Sequence, residues 1–165
     1  MEIDKGTRHQ KIVGDFGEAL VCNWLSRSGF EVTLVDHTGI DVVGYNPLTD
    51  QRLGISVKSR TRRKGREHSS VNLMSNQKEK SDRDKVVDAC KAFACEPWIG
   101  IYVESTEFAD LFLLSLEHYD ERYRGNANRA IDDWKMGPKH RELHSDDQEL
   151  KHIHMDFLGT SWNWT

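Results

Sequence analysis

The 165-residue sequence predicts one α/β domain, with a mixed central sheet flanked by helices. Two segments carry apolar residues at helical spacing, and several short β-branched or apolar runs read as strands. Their order, helix, three strands, helix, two strands, is the third observation. A chain of this length buries roughly 68–70% of the surface that it exposes when unfolded, so it needs no metal or disulfide to hold a core.

Within Gly14 to Ser28, apolar residues at Phe16, Leu20, Val21, Trp24 and Leu25 mark one helical face, and Gly29 is the expected stop. Glu31 to Val35 is a short strand. Ile40 to Tyr45 and Leu53 to Arg60 are two more, joined by the turn-forming NPLTDQ as a hairpin. Ser75 to Ala94 is expected to be the second helix, with Val86, Cys90 and Phe93 in its stripe. Trp98 to Val103 and Leu111 to Leu116 follow as strands. Past Tyr119 the pattern weakens: Arg129 to Lys135 is expected as a helix, Ile153 to Phe157 as an edge strand, and the remainder as a polar appendage.

Net charge is −4, which argues against indiscriminate nucleic-acid binding. The distribution is more telling. Lys58 to Arg66 holds six basic residues in nine and no acid, while Glu104 to Glu121 holds six acids and no Lys or Arg. A concentrated basic segment on an acidic protein focuses a local positive field; a solvated basic loop is the plainer reading. Cys22, Cys90 and Cys95 show no CxxC spacing and form no disulfide framework. No apolar run approaches the roughly 20 residues of a membrane helix. Met1 to Gln10 is too polar for a signal peptide, and a reducing cytoplasm is the simplest location.

Glu18 lies at the margin of the first helix's apolar face, with Val21, Cys22 and Leu25 as its i+3, i+4 and i+7 neighbours. A carboxylate there needs a partner or a metal, unless it snorkels to solvent. Asp41 sits inside a strand, where Asp is depleted. A four-residue loop, Pro47 to Asp50, pairs Asn46 with Gln51 and brings Asp41 opposite Ser56, so Asp41, Ser56 and Lys58 share a face. A slip of one residue destroys that cluster; a lone Asp–Lys pair on a solvated face is the alternative.

The runs GDFGEAL (Gly14 to Leu20), SGFEV (Ser28 to Val32), TGIDVV (Thr38 to Val43) and GISVKSR (Gly54 to Arg60) resemble the PD-(D/E)xK nuclease superfamily. The nearest variant is the restriction-endonuclease-like, Holliday-junction-resolvase-like group. The resemblance spans residues 11–103 and implies an α-β-β-β-α-β core, with 104–165 adding a strand, a helix and a polar tail to one domain. It implies that Glu18 and Asp41 hold Mg²⁺ or Mn²⁺ and that Lys58 is catalytic. Ser56 stands where the family has an acid. Some relatives with S-x-K supply the acid from a later helix, which makes Glu79 a candidate beside Glu18; a retired site is the alternative.

Hydrolysis of a phosphodiester needs charge neutralised on the phosphate and a water made nucleophilic, which a Mg²⁺ on one or two carboxylates supplies. Lys58 would orient or deprotonate that water, the latter only if its pKa falls from about 10.4. Arg60, Arg62, Arg63, Lys64 and Arg66 would then grip the DNA backbone. Three readings follow: a DNA nuclease, an inactive nuclease-fold module binding nucleic acid or protein, and a plain interaction domain. Homodimerisation is compatible with each. His140, His144, His152 and His154 are expected as scattered surface histidines, and Trp162 and Trp164 as a cover for the sheet or a partner.

Overall fold

In the computed structural model, which describes residues 6–126, 128–159 and 162, helix α1 (Thr7–Arg27) starts well before Gly14 and stops at Gly29, whose φ of +88° only glycine adopts freely. Its buried stripe is Val13, Gly17, Val21 and Leu25. Phe16 stands beside that stripe, half-exposed, its ring edge-on to Tyr102 at 5.5 Å. Strands β1 (Glu31–His37), β2 (Ile40–Asn46) and β3 (Gln51–Thr61) form an antiparallel meander. The β2–β3 register runs from Val42 opposite Ile55 to Asn46 opposite Gln51, as the four-residue turn requires.

Strand β4 (Val71–Ser75) follows the basic loop and is absent from the sequence expectation. Helix α2 (Asp82–Ala92) is shorter than Ser75 to Ala94. Its N-cap is Ser81, whose Oγ accepts from the Asp84 N–H at 3.0 Å, and Asp82 and Asp84 favour the helix dipole. Strand β5 (Glu96–Glu104) lies parallel to β3, and β6 (Phe108–Ser115) antiparallel to β5.

The last stretch is more structured than expected. It holds α3 (Leu116–Arg122), β7 (Ile131–Trp134), α4 (Pro138–Ser145) and β8 (Lys151–Asp156). Arg129 to Lys135 therefore contains a strand, not a helix: Asp132 and Trp134 alternate inward, and β7 pairs with β4. Pro138 opens α4 rather than breaking it, because its missing N–H falls in the first turn. Trp134, Met136 and Leu150 are buried, so this segment builds core instead of appending to it.

The main sheet has the order β1-β2-β3-β5-β6-β8, and β4-β7 forms a separate ribbon. On one face, α1 places Val13, Val21 and Leu25 against Val42, Leu53, Ile55, Val57, Tyr102 and Leu111. On the other, Val86 and Cys90 of α2 and Tyr119 of α3 pack with Val71, Phe112, Trp134 and Met136. Each large side chain so buried contributes about 1.5–3 kcal/mol. Gly39, at φ +113°, lets the β1–β2 turn press on α2: a Cβ there would overlap the Lys85 carbonyl and stand 3.0 Å from the Val86 nitrogen. That contact fixes where β2 begins. Among the described residues, no helix is long and apolar enough to cross a membrane.

Candidate functional site

Asp41 enters β2 just before the first paired residue, where β2 and β3 begin to part. Its Oδ2 accepts the Val57 backbone N–H at 2.7 Å, replacing a ladder bond, which is the local reason a strand tolerates Asp here. One oxygen is thereby oriented and the other left for a further partner. Ser56 is buried, and Lys58 is half-buried two residues further along β3, on the same face as Ser56.

Glu18 is delivered by α1. Its predecessor Gly17 allows the closest approach of helix to sheet: a Cβ would overlap Ser59 Oγ and stand 3.2 Å from the Tyr102 Cβ. The Glu18 carboxyl is pushed up by burial, then by the Asp41 and Asp15 carboxylates, with Lys11 and Lys58 opposing. Glu18 therefore senses both Asp41 and Lys58, the two residues with which the sequence grouped it. A part-buried carboxyl crowded by two others, with too little positive charge to balance it, suits a cation held by oxygen ligands.

Glu79 does not join them. Helix α2 begins at Asp82, so Glu79 lies in an exposed bend before the N-cap and not on the helix expected to carry it. Asp82, the first residue of α2, shares with Lys58 a cavity of about 200 Å³, lined also by Arg60, Asn72, Met74 and Ser75. Burial pushes the Asp82 carboxyl up, but the Ser75 N–H at 2.9 Å and the ammonium groups of Lys78 and Lys85 hold it down at about 2. Asp82 is thus already neutralised by its own lysines.

The basic run divides by structure. Lys58 and Arg60 belong to β3, whereas Arg62 is turned inward, its Nη2 donating to the Ser70 and Ser69 carbonyls at 2.7 and 3.3 Å. Arg62 therefore shapes the loop, while Lys64 and Arg66 stand exposed on it. A cavity of about 550 Å³ is lined by neither Asp41 nor Lys58. Its lining is chiefly apolar, from Trp24, Phe30 and Trp98 to Leu113 and Ile153.

The late histidines are not scattered. His144 is buried, stacked on Trp134 at 4.4 Å, and His152 and His154 both meet the fully buried Asp110. The His-x-His alternation on an edge strand was the available signal, but the β6–β8 register was needed to find its carboxylate. Trp162 is exposed, and Trp164 lies outside the described residues. All three cysteines are free.

No family model matches the sequence, and no curated protein matches it. Among solved structures, the chain is similar to Hjc, a Holliday junction resolvase from the archaeal hyperthermophile Archaeoglobus fulgidus. The TM-score is 0.53 at 15% identity, covering 74% of this chain and 83% of that one. The likeness shows a fold shared with that resolvase, a mixed sheet flanked by helices in the restriction-endonuclease-like arrangement.

Proposed function

We propose that this protein is a metal-dependent nuclease that hydrolyses phosphodiester bonds in DNA, with Glu18, Asp41 and Lys58 as its working residues. The observation that carries the reading is electrostatic. Carboxylates from α1 and β2 act on each other beside an ammonium from β3, in a fold shared with a protein that resolves Holliday junctions.

Asp41 and Glu18 would hold Mg²⁺ or Mn²⁺, a choice suited to their all-oxygen donor set. The ion, when bound, neutralises phosphate charge and lowers the pKa of a water. The chain's own residues do the rest. The Val57 N–H holds Asp41 Oδ2 at 2.7 Å and so orients the carboxylate, leaving Oδ1 to take the ion. Lys58 reaches the cavity that Arg60 also lines, where its ammonium orients the attacking water or balances charge growing on the phosphate. Arg60, Lys64 and Arg66, with Arg63 beside them, carry the positive field onward along the DNA backbone, a role that gives register and affinity without sequence preference.

Ser56 is the observation that favours a second reading, an inactive nuclease-fold module that still binds DNA. Cleavage of plasmid and four-way-junction DNA with Mg²⁺ and with Mn²⁺ separates the two. The nuclease reading expects wild-type cleavage that Lys58→Met abolishes with metal affinity retained, and that Asp41→Asn and Glu18→Gln abolish with metal affinity reduced. An inert wild type in which Ser56→Glu creates metal binding and cleavage would establish the second reading. Cleavage surviving Asp41→Asn would refute the site.

A further inference from the structure

Strands β6 and β8 pair antiparallel with Asp110 opposite His154 and Phe112 opposite His152. Residues two apart on a strand share a face, so both imidazoles stand over one carboxylate. Asp110 Oδ1 meets His152 Nε2 at 2.8 Å and His154 Nδ1 at 2.7 Å. Stacking of His152 on Phe112, 4.3 Å between centroids, holds the first ring in place.

We propose that Asp110, His152 and His154 form a binding site for a divalent transition metal, with Zn²⁺ the best match. Two imidazoles and one carboxylate suit borderline ions such as Zn²⁺ and Co²⁺ and are a poor set for Mg²⁺. The three ligand atoms lie within 4.8 Å of one another. Tetrahedral bonds of about 2.0–2.1 Å put ligand atoms roughly 3.3–3.4 Å apart, so the cluster must open by about half an ångström from its present hydrogen-bonded spacing.

The surroundings already support two of the three ligands as a metal would require. Arg141 Nη1 occupies the other oxygen of Asp110, Oδ2, at 3.0 Å, which leaves Oδ1 as a single donor. The outer nitrogen of His154, Nε2, meets Asp156 Oδ1 at 3.2 Å. When Nδ1 binds metal, the imidazole proton moves to Nε2 and Asp156 accepts it, the carboxylate–histidine–metal arrangement of many zinc sites. Asp110 is inaccessible, but the side chains of His152 and His154 are 30% and 45% exposed, so an ion can enter from solvent and keep a water as its fourth ligand. The Arg141 charge limits affinity. The site joins β8, an edge strand, to β6, and is separated from Lys58 by β5 and from Asp41 by β3 and β5. It stands independently of the nuclease reading.

The experiment is calorimetric titration of the metal-free full chain with Zn²⁺, alongside Co²⁺ titration followed by visible absorption. One Zn²⁺ per chain is expected with Kd of about 10 μM or tighter, unaffected by millimolar Mg²⁺. His154→Gln, a change at a half-exposed position that leaves the fold intact by circular dichroism, should weaken binding at least about tenfold. Asp156→Asn should weaken it less, and Arg141→Gln should tighten it. Co²⁺ should give visible bands that His154→Gln removes. Absence of saturable Zn²⁺ binding, or equal binding by the wild type and by the folded His152→Gln/His154→Gln double variant, would overturn the proposal and leave Asp110 as a carboxylate neutralised by its neighbours alone.

Discussion

Gly17 and Ser59 should be energetically coupled, and their coupling should reach Glu18. A methyl group at Gly17 overlaps Ser59 Oγ and comes within 3.3 Å of Ser59 Cβ and 3.2 Å of Tyr102 Cβ. Gly17→Ala gains about 1 kcal/mol of helix propensity but incurs an overpacking cost of about 1–3 kcal/mol, for a net loss of about 1 kcal/mol. Ser59→Ala removes a buried hydroxyl that has no hydrogen-bond partner, so alone it should be neutral or slightly stabilising. In the double variant the worst overlap is gone and only the two Cβ contacts remain, which a shift of a few tenths of an ångström relieves. The double variant should therefore be about 1 kcal/mol more stable than the sum of the single effects. Urea unfolding of the four proteins measures this, with unchanged m-values required. Because residue 17 precedes Glu18, Gly17→Ala should also weaken Mn²⁺ binding, and Ser59→Ala should restore part of it. Additive stabilities within about 0.3 kcal/mol would refute the close approach of α1 to β3.

The burial that pushes His144 down from 6.5 to about 4, helped by the charges of His152, Arg141 and His140, keeps it neutral in the fold. The unfolded chain takes up the proton first as pH falls, so stability is intact above 6.5 and is lost between 6.5 and 4. The loss from this group approaches about 3 kcal/mol at 1.36 kcal/mol per unit. His144→Phe keeps the stack on Trp134 and should flatten that part of the stability–pH curve; identical slopes in both proteins would contradict it. Asp132 is fully buried between Arg124 Nε at 2.9 Å, Arg83 Nη2 at 3.1 Å and Asn76. Asp132→Ala leaves the part-buried Arg124 guanidinium without its carboxylate, while Arg83 keeps Asp120 at 2.8 Å, and should cost about 3 kcal/mol in urea unfolding, whereas a loss under 1 kcal/mol would show that the network is dispensable. Replacing Arg60, Lys64 and Arg66 together should flatten the salt dependence of duplex binding by about 2.7 units of log–log slope, while an unchanged slope would exclude those side chains from the interface.

What the sequence made legible was local. The NPLTDQ turn sets its own loop length, and loop length determines register, so the pairing from Val42–Ile55 to Asn46–Gln51 follows from the residue pattern; the pairing stops short of Asp41, and its contact with the Val57 N–H was not legible. The elements that escaped depend on distant partners. Strand β4, VNLMS, has buried Leu73 and Met74 adjacent rather than alternating, around a bulge in its pairing with β7. Strand β7 looks helical because Ile131 and Trp134 are three apart; in fact Ile131 is exposed and Asp132 is buried. The arrival of Asn76, Arg83 and Arg124 makes a buried Asp132 tolerable, and none is near enough in sequence to suggest it. Asp110, an Asp within the apolar run FADLFLLS, carried the same warning as Asp41. Its partners come from α4 and β8, segments whose positions the sequence left open.

Ser56 changes the order in which the proposed nuclease site would assemble. Glu18 and Asp41 contribute two negative charges, and Lys58 returns one; Asp82 is spoken for by Lys78 and Lys85. An acid at position 56 would raise the local excess to two and make a dication welcome before any substrate arrives. With serine there, the excess is one, and two carboxylates leave most of an octahedral shell to waters. A phosphate group then supplies the missing oxygen and charge. The basic residues at 60, 64 and 66 would draw that phosphate in, and fewer fixed acids would repel it. On the proposed reading, the serine would shift the site from one loaded with metal in advance to one in which ion and DNA stabilise each other. By reciprocity each must tighten the other's binding by the same factor. The oxygen-only pair on α1 and β2 and the imidazole pair on β8 would therefore differ twice over, in the ion each selects and in whether that ion needs DNA to stay.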